Sequence, residues 1–361
     1  MGLNMKKVVL TTGGTGGHIY PALAIAKELK NREVETLFIG SKYRMENELV
    51  PENGFDFIGL DIKPIKITNI KSIYRLFKSI IKSIIILYKE KVDCVIGFGN
   101  YISIPVLIAA FLLGKKIYLQ EQNINLGLAN RVFYRVAKKL FVAFDKTYEG
   151  IPRKYQHKVV VTGNPLRKEF EHIDREEERE RLKIGNNEKI LLIIGGSLGA
   201  KKINDAVLNN WDELFKNLDI RVYWATGKNH FDEINNKIRK RKPNDVIKPY
   251  FDSIAKIMSA SDLLICRAGA LTVSEVIELQ KPSIMIPYKS SDVGQKQNAK
   301  LLEKIGAAKV YDEDNSDEAI KEAIKLIKDE KALKKMSNNL SLIKKSNSTL
   351  KIVNEIDIWR N

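Results

Sequence analysis

Two stretches of this 361-residue chain share one pattern, VVLTTGGTGG from Val8 to Gly17 and ILLIIGGSLG from Ile190 to Gly199. Each is an apolar strand followed by a Gly-Gly pair, a small hydroxyl residue, a spacer and another glycine, and each runs into a helix-like segment. Glycines let the backbone turn sharply and approach a ligand, and the N–H groups of a helix start suit a phosphate or a developing oxyanion. The same strand–loop–helix unit at the start and again near the middle of a chain this long predicts two similar parallel-sheet α/β domains, facing one another across a cleft. The chain length fits two domains, and 44% hydrophobic residues suffice for full-sized cores.

Further strand candidates follow in the first half at Glu35 to Ile39, Val92 to Phe98, Lys115 to Leu119 and Val159 to Val161, with a helix-like run from Ile102 to Leu113. Three polar or glycine-rich stretches end such strands: the first glycine loop with His18, Gly97-Phe98-Gly99-Asn100-Tyr101, and Gln120-Glu121-Gln122-Asn123. Open α/β sheets place ligands at this carboxyl edge. A dinucleotide site would want GxGxxG and an acidic residue ending the second strand; neither is present, which argues against NAD. The second half reads as a charged helix Glu169 to Leu182, then strands at Arg221 to Ala225, Val246 to Lys248, Leu263 to Cys266 and Pro282 to Pro287. Ser290 to Ala299 reads as a polar loop, and Asp317 onward as charged helix. Arg267 to Glu275, RAGALTVSE, is a turn into a helix start whose amides suit phosphate; Glu275 reads either as a ribose contact or as an ordinary first-turn residue.

A formal charge of +17 implies an anionic partner: nucleic acid, an acidic membrane or a phosphorylated small molecule. Lys63 to Lys91, placed on a helix, lines up Lys71, Arg75, Lys78 and Lys82 as a basic stripe beside an apolar face of Ile73, Leu76, Phe77, Ile80, Ile81 and Ile84. Either this helix packs its apolar face on the sheet, or part of it, with Lys71, Arg75, Phe77 and Lys78, docks on an anionic membrane. Cys94 and Cys266 end apolar runs and read as buried thiols in a reducing cytoplasm. The N-terminal residues do not read as a signal peptide and the longest apolar run is too short to span a bilayer, so a cytoplasmic protein with at most peripheral membrane contact is expected. Asp312-Glu313-Asp314 contains a D-x-D of metal-dependent sugar transferases, but its setting before a helix favours a solvated loop.

GTGGHIYPALAIAKEL, EQN at Glu121 to Asn123, GNPLR at Gly163 to Arg167, GGSLGA at Gly195 to Ala200 and RAGALTVSE, in that order over nearly the whole chain, resemble the MurG family. These are GT-B glycosyltransferases of family 28 type that move GlcNAc from UDP-GlcNAc to lipid I, giving lipid II for peptidoglycan. The resemblance implies a GT-B fold: residues 1–163 as an acceptor and membrane-associated domain, residues 164–345 as a UDP-GlcNAc-binding domain, and the last helix, 346–361, packed back on the first. It implies donor contacts from Thr15, Gly16, Gly17, Asn123, Arg167, Ser197, Phe251, Ala270, Leu271, Thr272, Glu275 and Gln295. It places Thr15, His18, Asn100 and Tyr101 on the acceptor side. UDP-GlcNAc is then a substrate, and no cofactor or catalytic metal is expected. Lipid I, the anionic inner-membrane surface and other cell-wall or division proteins are the expected partners, nucleic acid is not, and the location is the cytoplasmic face of a bacterial membrane. Three positions depart from the family: Gln120 replaces its usual histidine, Asn100 interrupts its GGY loop, and Gly294 stands where some members carry glutamine.

In such a reaction the acceptor 4-hydroxyl loses a proton as it attacks C1 of the donor, with inversion, and UDP leaves with growing negative charge. His18 serves either as the base or as a group that orients the loop. The competing readings are another GT-B enzyme, a glycolipid glycosyltransferase or a UDP-GlcNAc 2-epimerase, and, more distantly, a non-catalytic nucleic-acid-binding protein. The sequence shows no RRM-type motif and no zinc-ligand cluster to support the last.

Overall fold

The computed structural model describes residues 6–64, 69–185, 187–196, 198–289 and 294–356. The chain divides into two compact units, Met1–Arg167 with Lys345–Asn361, and Lys168–Lys344. Among the described residues of the first, seven strands form one parallel sheet: β1 (Lys7–Thr11), β2 (Glu35–Ser41), β3 (Asp56–Leu60), β4 (Cys94–Gly97), β5 (Lys116–Glu121), β6 (Lys139–Val142) and β7 (Val159–Val161). Their order is β3-β2-β1-β4-β5-β6-β7, with Val9 beside Leu37 on one flank and Val95 on the other. Helices cover both faces of such a sheet, so the central strands are apolar along their whole length, as VVL in β1 and VI in β4 require. The strand order turns back between β1 and β4. Open α/β folds hold their ligands outside the carboxyl ends of strands at that switch.

The second unit repeats the arrangement with β8 (Lys189–Ile194), β9 (Ile220–Ala225), β10 (Val246–Lys248), β11 (Leu263–Cys266), β12 (Ser283–Met285) and β13 (Ala308–Val310), ordered β10-β9-β8-β11-β12-β13 and all parallel. Its switch lies between β8 and β11, where Gly195–Ala200 and Arg267–Gly269 leave the sheet. The second glycine loop thus occupies in its own unit the place that the first occupies in the other. Cys94 and Cys266 are buried free thiols at these central strands, and burial raises both, Cys266 to about 12.

The junction lies beyond Arg167 because Asn164 and Arg167 are bound into the first unit. Asn164 accepts from Gln120 Nε2 at 2.9 Å and donates to the Gln122 carbonyl at 3.0 Å, and the Arg167 guanidinium lies 4.8 Å from the centre of the Tyr20 ring. The tail returns as helix Ser348–Glu355, whose Ile352 and Val353, with Ile356, join the core formed by Val8, Leu10 and Ile19.

Two expected elements differ. The charged helix does not begin at Glu169: it runs Arg175–Arg181, because the Asp174 side chain accepts the Glu177 N–H at 3.0 Å and His172, at φ 54°, breaks the chain before it. Residues 295–299 are not loop but the start of helix Gln295–Lys304, which Gly294 enters at φ 75°.

Lys281 is a buried cation whose Nζ donates to the carbonyls of Ser259 and, at 3.1 Å, Ser261. Burial first, and then the Arg175 charge, bring its amine from 10.5 down to about 7. Above neutral pH the unfolded chain holds a proton that the folded chain has released, so stability rises with pH until the free-lysine range is reached. In urea unfolding, wild type should gain about 2 kcal/mol relative to Lys281→Met between about pH 7 and about pH 9. Parallel pH dependence of the two would reject this.

Candidate functional site

In the first unit, β1 delivers the chain into the glycine loop and α1 (Gly16–Asn31) begins directly after Thr15. Pro21 lies inside that helix, one turn beyond Gly17. The loop is held by side chains rather than by regular structure. Ser103 Oγ donates to the Thr11 carbonyl at 2.8 Å, Thr12 Oγ1 donates to the His18 carbonyl at 2.8 Å, and Asn100 Nδ2 donates to the Gly13 carbonyl. Asn100 Oδ1 meanwhile accepts the Ile102 N–H at 2.9 Å, so this departure from the family's glycine is a loop brace.

His18 Nδ1 lies 2.8 Å from the Phe98 carbonyl. A carbonyl can only accept, so Nδ1 carries the proton and Nε2 keeps its lone pair. Burial lowers the imidazole below its ordinary 6.5, with the Phe98 carbonyl and the Gln122 side chain opposing that shift. The ring is therefore neutral at neutral pH and fit to accept a proton. Thr15 is exposed and Gly16 and Gly17 are partly exposed at the start of α1, whose first turn has no acidic residue. Tyr101, also taken as acceptor-side, opens a short 3-10 turn after Asn100, and its buried hydroxyl has no hydrogen-bond partner among the described residues.

The third loop is built around Glu121. Its carboxylate accepts the N–H groups of Asn123 at 3.0 Å and Gly127 at 2.7 Å, and Asn130 Nδ2 at 2.9 Å. Burial raises its pKa, while the Gly127 and Asn123 amides pull it back. Asn123 is thereby fixed just beyond β5. Gln120 is fully buried and joined to Asn164 and Gln122, so the residue in the family's histidine position links the EQN and GNPLR segments.

In the second unit, helix Ala270–Glu278 starts from Gly269 with no side-chain cap and no acidic residue in its first turn. The amides of Ala270, Leu271 and Thr272 thus form a helix N-terminus suited to an anion. Ser274 Oγ is turned back on the Ala270 carbonyl at 3.0 Å, and Glu275 is partly exposed one turn in. Asn298, on the helix that Gln295 opens, donates to the Ala268 carbonyl at 3.2 Å and ties the two helix starts together. Gln295 Oε1 accepts the Tyr288 N–H at 3.1 Å. Phe251 is buried, its ring 6.1 Å from that of Tyr223. Ser197 lies outside the described residues.

The D-x-D carboxylates are committed to lysines, Asp312 to Lys296 at 3.5 Å and Asp314 to Lys289 at 2.7 Å, while Glu313 between them is buried against Arg267. Among the described residues no group of three or more His, Cys, Asp or Glu side chains could hold a metal ion. Sequence reasoning missed Glu46, which is fully buried beneath the first glycine loop, and Asn130. Neither lies in a motif, since Glu46 reaches back to Gly14 in the glycine loop and Asn130 reaches back to Gln120 and Glu121.

Two doubly wound parallel α/β units, each with a glycine loop at its switch point, define a GT-B-type glycosyltransferase architecture. Residues 8–142 match the glycosyltransferase family 28 N-terminal domain and residues 190–355 the family 28 C-terminal domain, and the chain belongs to that family. It is 51% identical over 357 residues to the UDP-N-acetylglucosamine--N-acetylmuramyl-(pentapeptide) pyrophosphoryl-undecaprenol N-acetylglucosamine transferase of Fusobacterium nucleatum subsp. nucleatum, covering 99% of each chain. The enzyme of the same description from Alkaliphilus metalliredigens is 35% identical, with 97% of this chain and 98% of that one covered. Among solved structures, MurG of Acinetobacter baumannii superposes with a TM-score of 0.78 at 28% identity, covering 97% of this chain and 98% of that one.

Proposed function

We propose that this chain transfers GlcNAc from UDP-GlcNAc to the 4-hydroxyl of MurNAc in lipid I, with inversion, to give lipid II. The observation that carries the reading is the 51% identity along 99% of both chains to an enzyme named for that transfer. In this reading His18 Nε2 takes the proton of the acceptor hydroxyl as its oxygen forms the new bond to C1. The C1–O bond to the diphosphate breaks, and UDP leaves with the electron pair. The amides of Ala270, Leu271 and Thr272 meet the charge that develops on the diphosphate, the part a metal ion would otherwise play. Glu275 holds the ribose hydroxyls. Ser197, Arg167 and Phe251 complete the donor contacts, with Asn123 and Gln295 at the GlcNAc and Thr15, Gly16 and Gly17 beside the reaction centre, where Thr15 also faces the acceptor. Asn100 and Tyr101 act on the acceptor side.

Incubation with UDP-GlcNAc and a lipid I analogue should give the GlcNAc-extended product by mass, at an undiminished rate in EDTA. UDP release without sugar transfer would reject the assignment, and formation of the 2-epimer would favour the epimerase reading.

The membrane reading gains support from α3 (Ile70–Lys89), whose Asn69 cap accepts the Lys71 N–H at 3.0 Å. Its inward face centres on Ser79, Ser83 and Leu87, which are buried, with Leu76, Ile80 and Ile84 of the apolar stripe half-buried beside them and Ile84 packed on the core. Ser83 Oγ donates to the Ser79 carbonyl at 2.8 Å, and small side chains there let α3 pack closely on α4 (Ile104–Leu112). Ile73, Tyr74, Phe77, Ile81, Ile85 and Tyr88 are exposed instead, Phe77 at 61% and Tyr88 at 75%. Lys71, Lys78 and Lys82 are exposed on the same helix and Arg75 is partly exposed. Among the described residues no helix is long and apolar enough to cross a membrane, and an apolar face flanked by lysines is suited to lie in an anionic interface. This supports a peripheral location on the cytoplasmic membrane face. Phe77→Asp combined with Ile81→Asp should lower co-sedimentation with anionic vesicles by at least about tenfold and leave UDP-GlcNAc affinity unchanged. Equal sedimentation of variant and wild type would sink this role for α3.

A further inference from the structure

Glu46 opens the short helix α2 (Glu46–Glu52) and is fully buried. Its carboxylate spans two segments of the first unit. Oε2 accepts the Gly14 N–H at 2.9 Å, inside the glycine loop, and Oε1 accepts the Ser41 N–H at 2.9 Å, at the end of β2. The backbone is shaped around it. A Cβ at Gly13 would lie 2.1 Å from Oε1, and one at Gly40 would lie 2.8 Å from Cγ. A buried carboxylate is tolerated only where donors satisfy it, and amides converging on an anion are the arrangement by which glycine loops hold ligand phosphates.

We propose that Glu46 is the built-in anion of the first glycine loop, a positioning residue that fills the amide cradle at Gly14 and Ser41 in place of a ligand and so sets the loop that carries Thr15 to His18. Asn100 grips the same turn through the Gly13 carbonyl, so Gly13 and Gly14 are held on both sides. Because the Gly14 amide is already used, this amide pair is closed to a substrate phosphate. The effect on turnover rests on the proposed role of His18; the occupancy of the cradle does not.

The test uses the full chain with Glu46→Ala, Glu46→Gln and Glu46→Asp, measured for GlcNAc transfer and for thermal stability with and without acetate. Glu46→Ala should lose about a hundredfold in kcat, with KM for UDP-GlcNAc within about threefold of wild type. Acetate should restore at least about tenfold of that loss with saturation, and should raise the melting temperature of Glu46→Ala but not of wild type. Glu46→Asp should keep more activity than Glu46→Gln, which retains the shape but presents an NH2 to one of the two amides. Should Glu46→Ala fail to fold, the order of Asp above Gln in kcat decides the matter. Absence of any acetate effect on either activity or stability in folded Glu46→Ala, or Gln equal to wild type in kcat, overturns the proposal. If wild type transfers no GlcNAc, the functional reading fails separately, and acetate-dependent melting of Glu46→Ala still decides whether the cradle is filled by Glu46.

Discussion

Replacement of His18 by alanine is expected to lower kcat for GlcNAc transfer by about a thousandfold while leaving UDP-GlcNAc affinity within about twofold. The expectation follows from the tautomer and the charge state. The bond from Nδ1 to the Phe98 carbonyl fixes the proton on that nitrogen and leaves Nε2 as the basic atom. Burial disfavours the imidazolium, so the pKa lies below 6.5 and the neutral form prevails at neutral pH. Activity that needs the neutral ring is lost as pH falls through that lowered pKa and is level above it. The wild-type profile of kcat/KM should therefore have an acidic limb below the ordinary histidine range, and His18→Ala should lack it. His18→Gln separates the two roles, since an amide can still donate to the Phe98 carbonyl but cannot take a proton. If positioning were the whole contribution, His18→Gln would keep most of the rate; as a base, His18 cannot be replaced in this way. Turnover near wild type in either variant would remove His18 from the proton-transfer step.

The strands nearest each switch point, β1, β4, β8 and β11, were legible in the sequence because a strand buried on both faces must be apolar throughout. Both glycine loops and the RAGALTVSE turn were legible for a related reason: their geometry demands residue types that stand out. Strands β3 and β13 escaped notice at the sheet edges, where DFIGL and AKV are only partly buried. Strand β6 is paired on both sides, but its first residue is a lysine that follows another, and the run KLFV is short. Helix α3 shows the limit of periodicity. Its pattern correctly gave an amphipathic helix, but the predicted apolar stripe divides: Ile73, Phe77 and Ile81 face outward, Leu76, Ile80 and Ile84 are half-buried, and Ser79 and Ser83 face inward, where close packing on α4 favours small side chains. Spacing identifies faces; the neighbour decides which one is covered. Glu46 and Asn100 illustrate the same limit at the site. Besides the nearby Ile102 and Ser41 amides their partners are Gly13 and Gly14, and bonds that join Gly14 to Glu46 or Gly13 to Asn100 have no signature along the chain.

Replacement of Gly227 by alanine is expected to destabilise the second unit by about 3 kcal/mol and to weaken UDP-GlcNAc binding at least about tenfold. Gly227 follows β9 at φ 84°, and a Cβ there would lie 2.2 Å from the Gly199 nitrogen and 2.3 Å from its Cα. Gly199, at φ 83°, is equally constrained, since its own Cβ would meet the Thr226 carbonyl oxygen at 2.2 Å. The obstructing atoms are backbone, so no rotamer change relieves them and the loop after β8 must move. The β9 side of the crossing is fixed by Asn204, which donates to the Thr226 carbonyl at 2.8 Å and accepts the Trp224 indole N–H at 3.1 Å, so the strain falls on the loop after β8. Displacement should thus reach the edge of the sheet at its switch point, where the donor diphosphate is proposed to bind. Gly196 supplies the control, because it has φ 90° but open space around a Cβ, so Gly196→Ala incurs backbone strain of about 1–2 kcal/mol without the collision. Trp211 and Trp224 lie in the core of the second unit, so tryptophan fluorescence in urea reports its unfolding. Gly227→Ala should unfold at clearly lower urea than Gly196→Ala and lose more affinity for UDP-GlcNAc by titration calorimetry. If the two variants behave alike, backbone strain accounts for the whole effect, and the close crossing of Gly199 and Gly227 does not set the shape of the second loop.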